Sequence, residues 1–265
     1  MPSVYLQNRA STIYPYKMKE GHSAALRAII FDCDGVLVDS EPAHFEAFKR
    51  TLGADAGALT EEIYKERYLS MDDRGIFTAF YQNAGKLLDE ADLKKLMEAK
   101  TNTFQSIIQN AGLMAYPAVP ELVMAVSQRY PLAVASGARR HELETVLESA
   151  GVRSFFEVVV SSDDVQFGKP HPESYLKAVE QLNASGKRLT PIKPEECVVI
   201  EDSKDGIASA HAAGMKCVAV ATSFPLFELA HADLVVPALA SLRVSQIEDL
   251  FQSPAPMPAP VPEHN

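Results

Sequence analysis

One stretch restricts the fold of this chain more than any other: the apolar run Ala28, Ile29, Ile30, Phe31 stops abruptly at Asp32, Cys33, Asp34 and Gly35. Four apolar residues without alternation fit a strand covered on both faces, as in a parallel sheet flanked by helices. Loops at the carboxyl ends of such strands form the crevice where ligands bind, so the two acids fall where chemistry is expected. In extended backbone Asp32 and Asp34 project to one side and Cys33 to the other. Crowded carboxylates repel unless something neutralises them, and a hard divalent cation such as magnesium, which keeps substrate phosphate in its shell, is suited to the task. Gly35 lets the backbone turn and approach a ligand closely. The plainer alternative for this stretch is a strand followed by an acidic, solvated turn.

The rest of the chain extends that strand into an α/β fold. A helix is expected from about Ala43 to Leu52, after a break at Glu41 and Pro42. From Thr60 to about Gln109 the periodic segments all read as helical, with starts at Thr60, at Asp72 or Asp73, and at Asp89. Beyond Tyr116 and Pro117 the period changes. Strands at 132–135, 156–160, 197–200, 217–220 and 234–236 alternate with helices at 139–150, 173–182 and 204–213, which means a Rossmann-like, doubly wound parallel sheet with right-handed crossovers. The expected division is a core of residues 26–41 and 116–250, an inserted all-α cap at 42–115, a disordered extension at 1–25 and a disordered proline-rich tail at 251–265.

Composition narrows the partners. With 265 residues and 47% hydrophobic content the chain can bury a sizeable core. Its 25 basic and 35 acidic side chains give a formal charge of -10, which argues against a nucleic acid held by phosphate contacts. No apolar stretch approaches the roughly 18 residues that span a bilayer, and Met1 to Arg27 lacks the pattern of a signal peptide, so a cytoplasmic location is expected. Cys33, Cys197 and Cys217 have no metal-ligand spacing and read as buried thiols in a reducing compartment. Nothing in the chain demands an obligate partner, and a monomer is expected.

Three later strand ends carry matching chemistry. Ser136 and Gly137 offer a hydroxyl and a flexible backbone to an anion. Lys169, between Gly168 and Pro170, can bind phosphate and a nucleophile's carboxylate as a point charge. Glu201 and Asp202 form a second acidic strand end before a helix. Read singly, each has an ordinary structural explanation, as a helix start, an exposed turn lysine or an acidic helix N-terminus.

Together, Asp32-Cys33-Asp34-Gly35, Ser136-Gly137, Gly168-Lys169-Pro170 and Glu201-Asp202-Ser203 resemble the four ordered motifs of the haloacid dehalogenase-like hydrolase superfamily, closest to its β-phosphoglucomutase and phosphoglycolate phosphatase branch with a helical cap. The resemblance implies that Asp32 is the nucleophile and forms an aspartyl phosphate. It implies that Asp34 is the acid and base, lending its backbone carbonyl to magnesium, and that Asp32 and Asp202 ligate the metal while Glu201 acts through bound water. Ser136, Lys169 and amides near Gly35 and Gly137 would meet the phosphoryl charge. Relatives that cleave carbon–halogen bonds lack the second aspartate, so phosphate chemistry is expected.

His44 matches a histidine that β-phosphoglucomutase uses near its hinge, but Glu-Pro-x-His is also common in phosphatases of that group, and a helix histidine under the cap is the plainer alternative. The stretch Tyr68 to Gly75 lacks the mutase's Lys-Gly pair and arginine, carrying Asp72, Asp73 and Arg74 instead, which favours hydrolysis. Arg74 is a candidate for facing substrate, and Arg139 and Arg140 for a second anionic group. Asp205 stands where relatives often carry a small residue and would support the metal shell or cap its helix. The expected activity is magnesium-dependent hydrolysis of a small phosphomonoester, a sugar phosphate or phosphoglycolate-like metabolite. A phosphomutase and a non-catalytic phosphoacceptor module are the alternatives.

Overall fold

The computed structural model describes residues 25–68, 71–113 and 115–252. The extension and tail expected to be disordered fall almost entirely outside that range. Strand β1 (Ala28–Phe31) lies inside a parallel sheet with β2 (Leu132–Ala135), β3 (Val158–Val160), β4 (Cys197–Glu201), β5 (Lys216–Val220) and β6 (Leu234–Val236), in the order β3-β2-β1-β4-β5-β6. Ile29 stands opposite Leu132 on one side and Val198 on the other. Strand order reverses between β1 and β4, and such a switch point is where an open α/β sheet leaves a crevice.

Both faces of the sheet are covered, which is why β1 shows no alternation. Ile29, Phe31, Val134 and Ile200 pack with Leu122 and Val123 of α5 (Val119–Ser127), Leu143 and Leu147 of α6 (Arg140–Ser149) and Ile247 of α9 (Val244–Asp249). Ala28, Ile30, Ala135 and Val199 pack on the other face with Tyr175 and Leu182 of α7 (Glu173–Ala184) and Ile207 of α8 (Lys204–Ala212). The doubly wound α/β reading therefore holds.

Two helices, α5 and α9, were not anticipated. The α5 stretch is rich in valine, flanked by Pro117 and entered through Ala118 at a left-handed φ of 69°, signals that argue against a helix. Its Pro120 falls in the first turn, where a missing N–H costs nothing. The α9 stretch is too short to display a period. Helix α1 (Glu41–Leu52) also starts before the expected Ala43, because Pro42 likewise occupies a first-turn position.

Between β1 and α5 the chain is helical: α1 is followed by α2 (Glu61–Arg67), α3 (Asp73–Asn83) and α4 (Glu90–Ala111). Thr60, Asp72 and Asp89 cap the last three, accepting from the backbone N–H of Ile63, Gly75 and Asp92. Phe48, Tyr64, Phe77, Phe80 and Leu93 form a separate apolar cluster here, while Ala43, Ala47, Phe104 and Ile108 join the sheet-face core. Helices α1 and α4 thus belong to both cores and tie them together. Among the described residues no helix is long and apolar enough to cross a membrane.

Removing the fully buried Phe77 ring should cost about 3–5 kcal/mol, and Asp72→Ala about 1 kcal/mol through the lost cap. Urea unfolding monitored by circular dichroism measures both as falls in the midpoint.

Candidate active site

The ladder of β1 continues one residue past the strand, with the Asp32 N–H donating to the Ile200 carbonyl at 2.9 Å. This fixes Asp32 at the carboxyl edge of the sheet, beside the end of β4. Glu201, as the last residue of β4, and Asp202 come next to it. Carboxylate oxygens of Asp32, Glu201 and Asp202 lie within 4.8 Å of one another, all buried. From the loop ahead of α7, the Lys169 ammonium reaches Asp32 Oδ1 at 2.5 Å and Glu201 Oε1 at 2.7 Å. One cation therefore stands against several carboxylates.

The electrostatics reflect that imbalance. Burial raises the Asp32 carboxyl, with Glu201 and Asp34 adding to the shift and Lys169 opposing it. Burial, then Glu201 and Asp32, raises Asp202 well above the usual carboxylate range. Glu201 goes the other way: burial opposes ionisation, but Lys169 and the donors around the carboxylate hold it below its ordinary value. Lys169 is pushed up because Asp32 and Glu201 outweigh the burial of its ammonium.

Five donors saturate Glu201. Lys169 Nζ and the Tyr175 hydroxyl meet Oε1, and the Asp202 N–H, Ser203 N–H and Ser203 hydroxyl meet Oε2. Its carboxylate holds Lys169 in place and ties the loop into α8. This approach requires Gly206, where a Cβ would stand 1.8 Å from the Glu201 carboxylate. Gly35 works similarly. At φ 76° its missing Cβ leaves room for Asp202, which would otherwise be met at 1.9 Å, so its place in the site is to admit a carboxylate.

Asp34 is not one of the three clustered carboxylates. Its Oδ1 accepts from the buried Ser40 hydroxyl. Burial raises its carboxyl, and Ser40, Lys169, Lys100 and Ser136 partly offset the shift. None of the backbone hydrogen bonds of the turn ends on the Asp34 carbonyl: they run from Gly35 to Val38 and from Val36, Leu37 and Val38 to Cys33. Ser136 is buried, its N–H donating to the Val160 carbonyl at 3.0 Å and its Oγ accepting from the Ala138 N–H.

These groups open into a cavity of about 1200 Å³ between the sheet edge and the helical block. His44, Arg74, Gly137 and Arg139 line it, as do Gly35 and Asp205. His44 is stacked on Phe104 at 4.0 Å with Nδ1 accepting from Lys100, and burial together with that ammonium holds the imidazole neutral. Arg74 is spent on a two-pronged pair with Glu90 at 2.7 and 2.9 Å. Arg139 makes no side-chain hydrogen bond among the described residues and is free to meet an anion. Arg140 is not brought to the cavity. Its guanidinium donates to Asp164 and to the Val159 carbonyl, pinning α6 to β3.

Several contributing residues escaped sequence reasoning. Ser40, Tyr175, Thr222 and Ser223 hold Asp34, Glu201, the Gly35 carbonyl and Asp202 respectively. Thr222 and Ser223 come just after β5, a strand end that could have been inspected like the others. Lys100 donates to Asp73 at 2.9 Å and lies over Phe48 and Phe104. Its sequence signal was a lone lysine on the apolar stripe of Leu93, Met97 and Phe104.

Residues 29–220 match the family model described as haloacid dehalogenase-like hydrolase. The chain is 32% identical to the phosphorylated carbohydrates phosphatase of Thermotoga maritima, over 72% of this chain and 83% of that protein. It is also 32% identical to the fructose-1-phosphate phosphatase YqaB of Escherichia coli, over 72% of this chain and 95% of that one. Among solved structures it resembles CbbY from Rhodobacter sphaeroides in complex with phosphate, with a TM-score of 0.67 and 25% identity, covering 82% and 96% of the two chains. The chain belongs to the haloacid dehalogenase-like hydrolases.

Gly206→Ala should displace Glu201 from its donors and cost about 1–3 kcal/mol. Gly137→Ala, where a Cβ meets nothing within 4 Å, should stay within about 0.5 kcal/mol of the parent. Calorimetric melting of both variants makes the comparison.

Proposed function

We propose that this chain is a magnesium-dependent phosphatase that hydrolyses a small phosphomonoester, a phosphorylated carbohydrate by analogy with its relatives, through an aspartyl phosphate on Asp32. The observation that carries the reading is the meeting of Asp32, Lys169 and Asp202 at the floor of one cavity, with Asp34 alongside but differently held. The donor set is made of hard oxygens and carries more negative charge than Lys169 balances, which fits magnesium. Asp32 and Asp202 would hold the ion with the Asp34 carbonyl. Glu201, saturated by protein donors, supports the site through Lys169. When bound, the ion would draw the phosphate into line and offset its charge.

In the first step a carboxylate oxygen of Asp32 attacks phosphorus, and the bond to the leaving oxygen breaks as Asp34 delivers its proton there. The raised Asp34 carboxyl suits that role, since a general acid must hold a proton near working pH. In the second step water attacks phosphorus and passes a proton to Asp34. The bond to Asp32 then breaks, freeing phosphate. Lys169 would supply a fixed positive charge to the transferring oxygens, and Ser136 and the amides near Gly137 would supply hydrogen-bond donors. Arg139 is offered to the leaving group. The helical block excludes water from the first step and must open for the second. Three free, buried cysteines support a cytoplasmic setting, and a catalytic set drawn from one chain supports action as a monomer.

Phosphate release from a panel of sugar phosphates and phosphoglycolate, with and without magnesium, tests the reading. Turnover is expected with the metal, and none on any ester would contradict it. Asp32→Asn should lower the rate by about a thousandfold or more with the fold intact. Asp34→Asn should slow both steps, and normal rates would refute its role. Dependence on a bisphosphate activator with little free phosphate would instead indicate a mutase.

A further inference from the structure

The loop after β5 reaches the acidic cluster from a third strand end, and the phosphatase chemistry leaves its two hydroxyls without a task. Thr222 donates to the Gly35 carbonyl at 2.5 Å, and its neighbour Ser223 donates to Asp202 Oδ2. The fit around that oxygen is close, since a Cβ on Gly35 would stand 1.9 Å from Asp202 Oδ2 and 2.9 Å from Ser223 Oγ. Asp202 Oδ2 is therefore held between the Gly35 backbone and the Ser223 hydroxyl. Thr222, by fixing the Gly35 carbonyl, braces the first of these two walls.

Asp32 is engaged in the same one-sided way. Lys169 takes Asp32 Oδ1 at 2.5 Å, while Glu201 has donors on both of its oxygens. Among the described residues no donor reaches Asp32 Oδ2 or Asp202 Oδ1. The cluster therefore offers an ion one free oxygen from each of two acids, rather than both oxygens of either. Hard cations differ in how they meet such a set. Magnesium is small, demands near-octahedral geometry and keeps water or phosphate beside one or two carboxylates, whereas calcium takes up to about eight oxygens and accepts carboxylates through both.

We propose that Ser223 is a positioning residue that confines Asp202 to a single metal-facing oxygen and thereby sets the preference of the site for magnesium over calcium. The proposal rests on the reading of Asp32 and Asp202 as metal ligands. Without the Ser223 hydroxyl, Asp202 Oδ2 loses its partner, and the carboxylate is free to turn both oxygens to a larger ion. Magnesium loses an oriented ligand through the same change. The ratio of the two affinities therefore falls. A hydroxyl that merely stabilised the loop would lower both affinities alike and leave their ratio where it was.

Separate calorimetric titrations of magnesium and of calcium into the full chain, freed of metal by chelation, test this in the parent and in Ser223→Ala. The substitution removes one hydroxyl at a half-buried loop position, and melting temperatures of the two proteins check that the fold is kept. The ratio of magnesium to calcium affinity should fall by about tenfold or more in the variant. A parent that binds magnesium, with a ratio that Ser223→Ala leaves unchanged, would overturn the role of Ser223 alone. A parent that binds no magnesium would overturn the assignment of the metal ligands and this proposal with it.

Discussion

Everything else in this molecule is arranged around a charge imbalance at the carboxyl ends of β1 and β4. Asp32, Glu201 and Asp202 crowd within 4.8 Å, and the single ammonium of Lys169 is shared between the first two. At that spacing each carboxylate pair repels by roughly 3–4 kcal/mol at an effective dielectric of about 20. Such a cluster survives only because the sheet fixes its backbone and a dense set of donors fixes its side chains. Glu201 illustrates the second device: with five donors, Tyr175 among them, it stays ionised in a fully buried place.

Small residues make this crowding sterically possible. Gly35 and Gly206 stand where any side chain would occupy the space of Asp202 or Glu201. Around them Ser40, Thr222 and Ser223 fix the orientation of the first acidic turn and of Asp202. The helical block reaches the same place through Lys100, which bridges Asp73 of α3 and His44 of α1. Because α1 and α4 pack in both apolar cores, movement of the block is linked to the floor of the cavity. That linkage suits the proposed two-step reaction, which would exclude water in one step and admit it in the next.

Much of this was legible in the sequence for a simple reason. Uninterrupted apolar runs mark buried parallel strands, and the polar residues at their carboxyl ends mark the crevice, so Asp32, Lys169 and Asp202 could be gathered from distant segments before any coordinates. The α5 helix was hidden because valines and flanking prolines mimic a break. Side-chain direction was hidden too. Arg140 looks in sequence like Arg139, yet one step around the helix start turns it to Asp164 and away from the cavity. Gly35 suggested contact with a ligand, whereas its chief work is to admit Asp202, a contact visible only across the sheet. Lys100 was readable as a charge on an apolar stripe, and Tyr175 was not, because a buried tyrosine on the face of Ala178 and Leu182 looks like any core residue.

The central claim is that these carboxylates outnumber their protein cations in order to hold a metal. Calorimetric titration of magnesium into the metal-free protein tests it most directly. A single saturable site that vanishes in Asp202→Asn is the predicted result. Absence of magnesium binding, or binding that Asp202→Asn leaves unchanged, would contradict it.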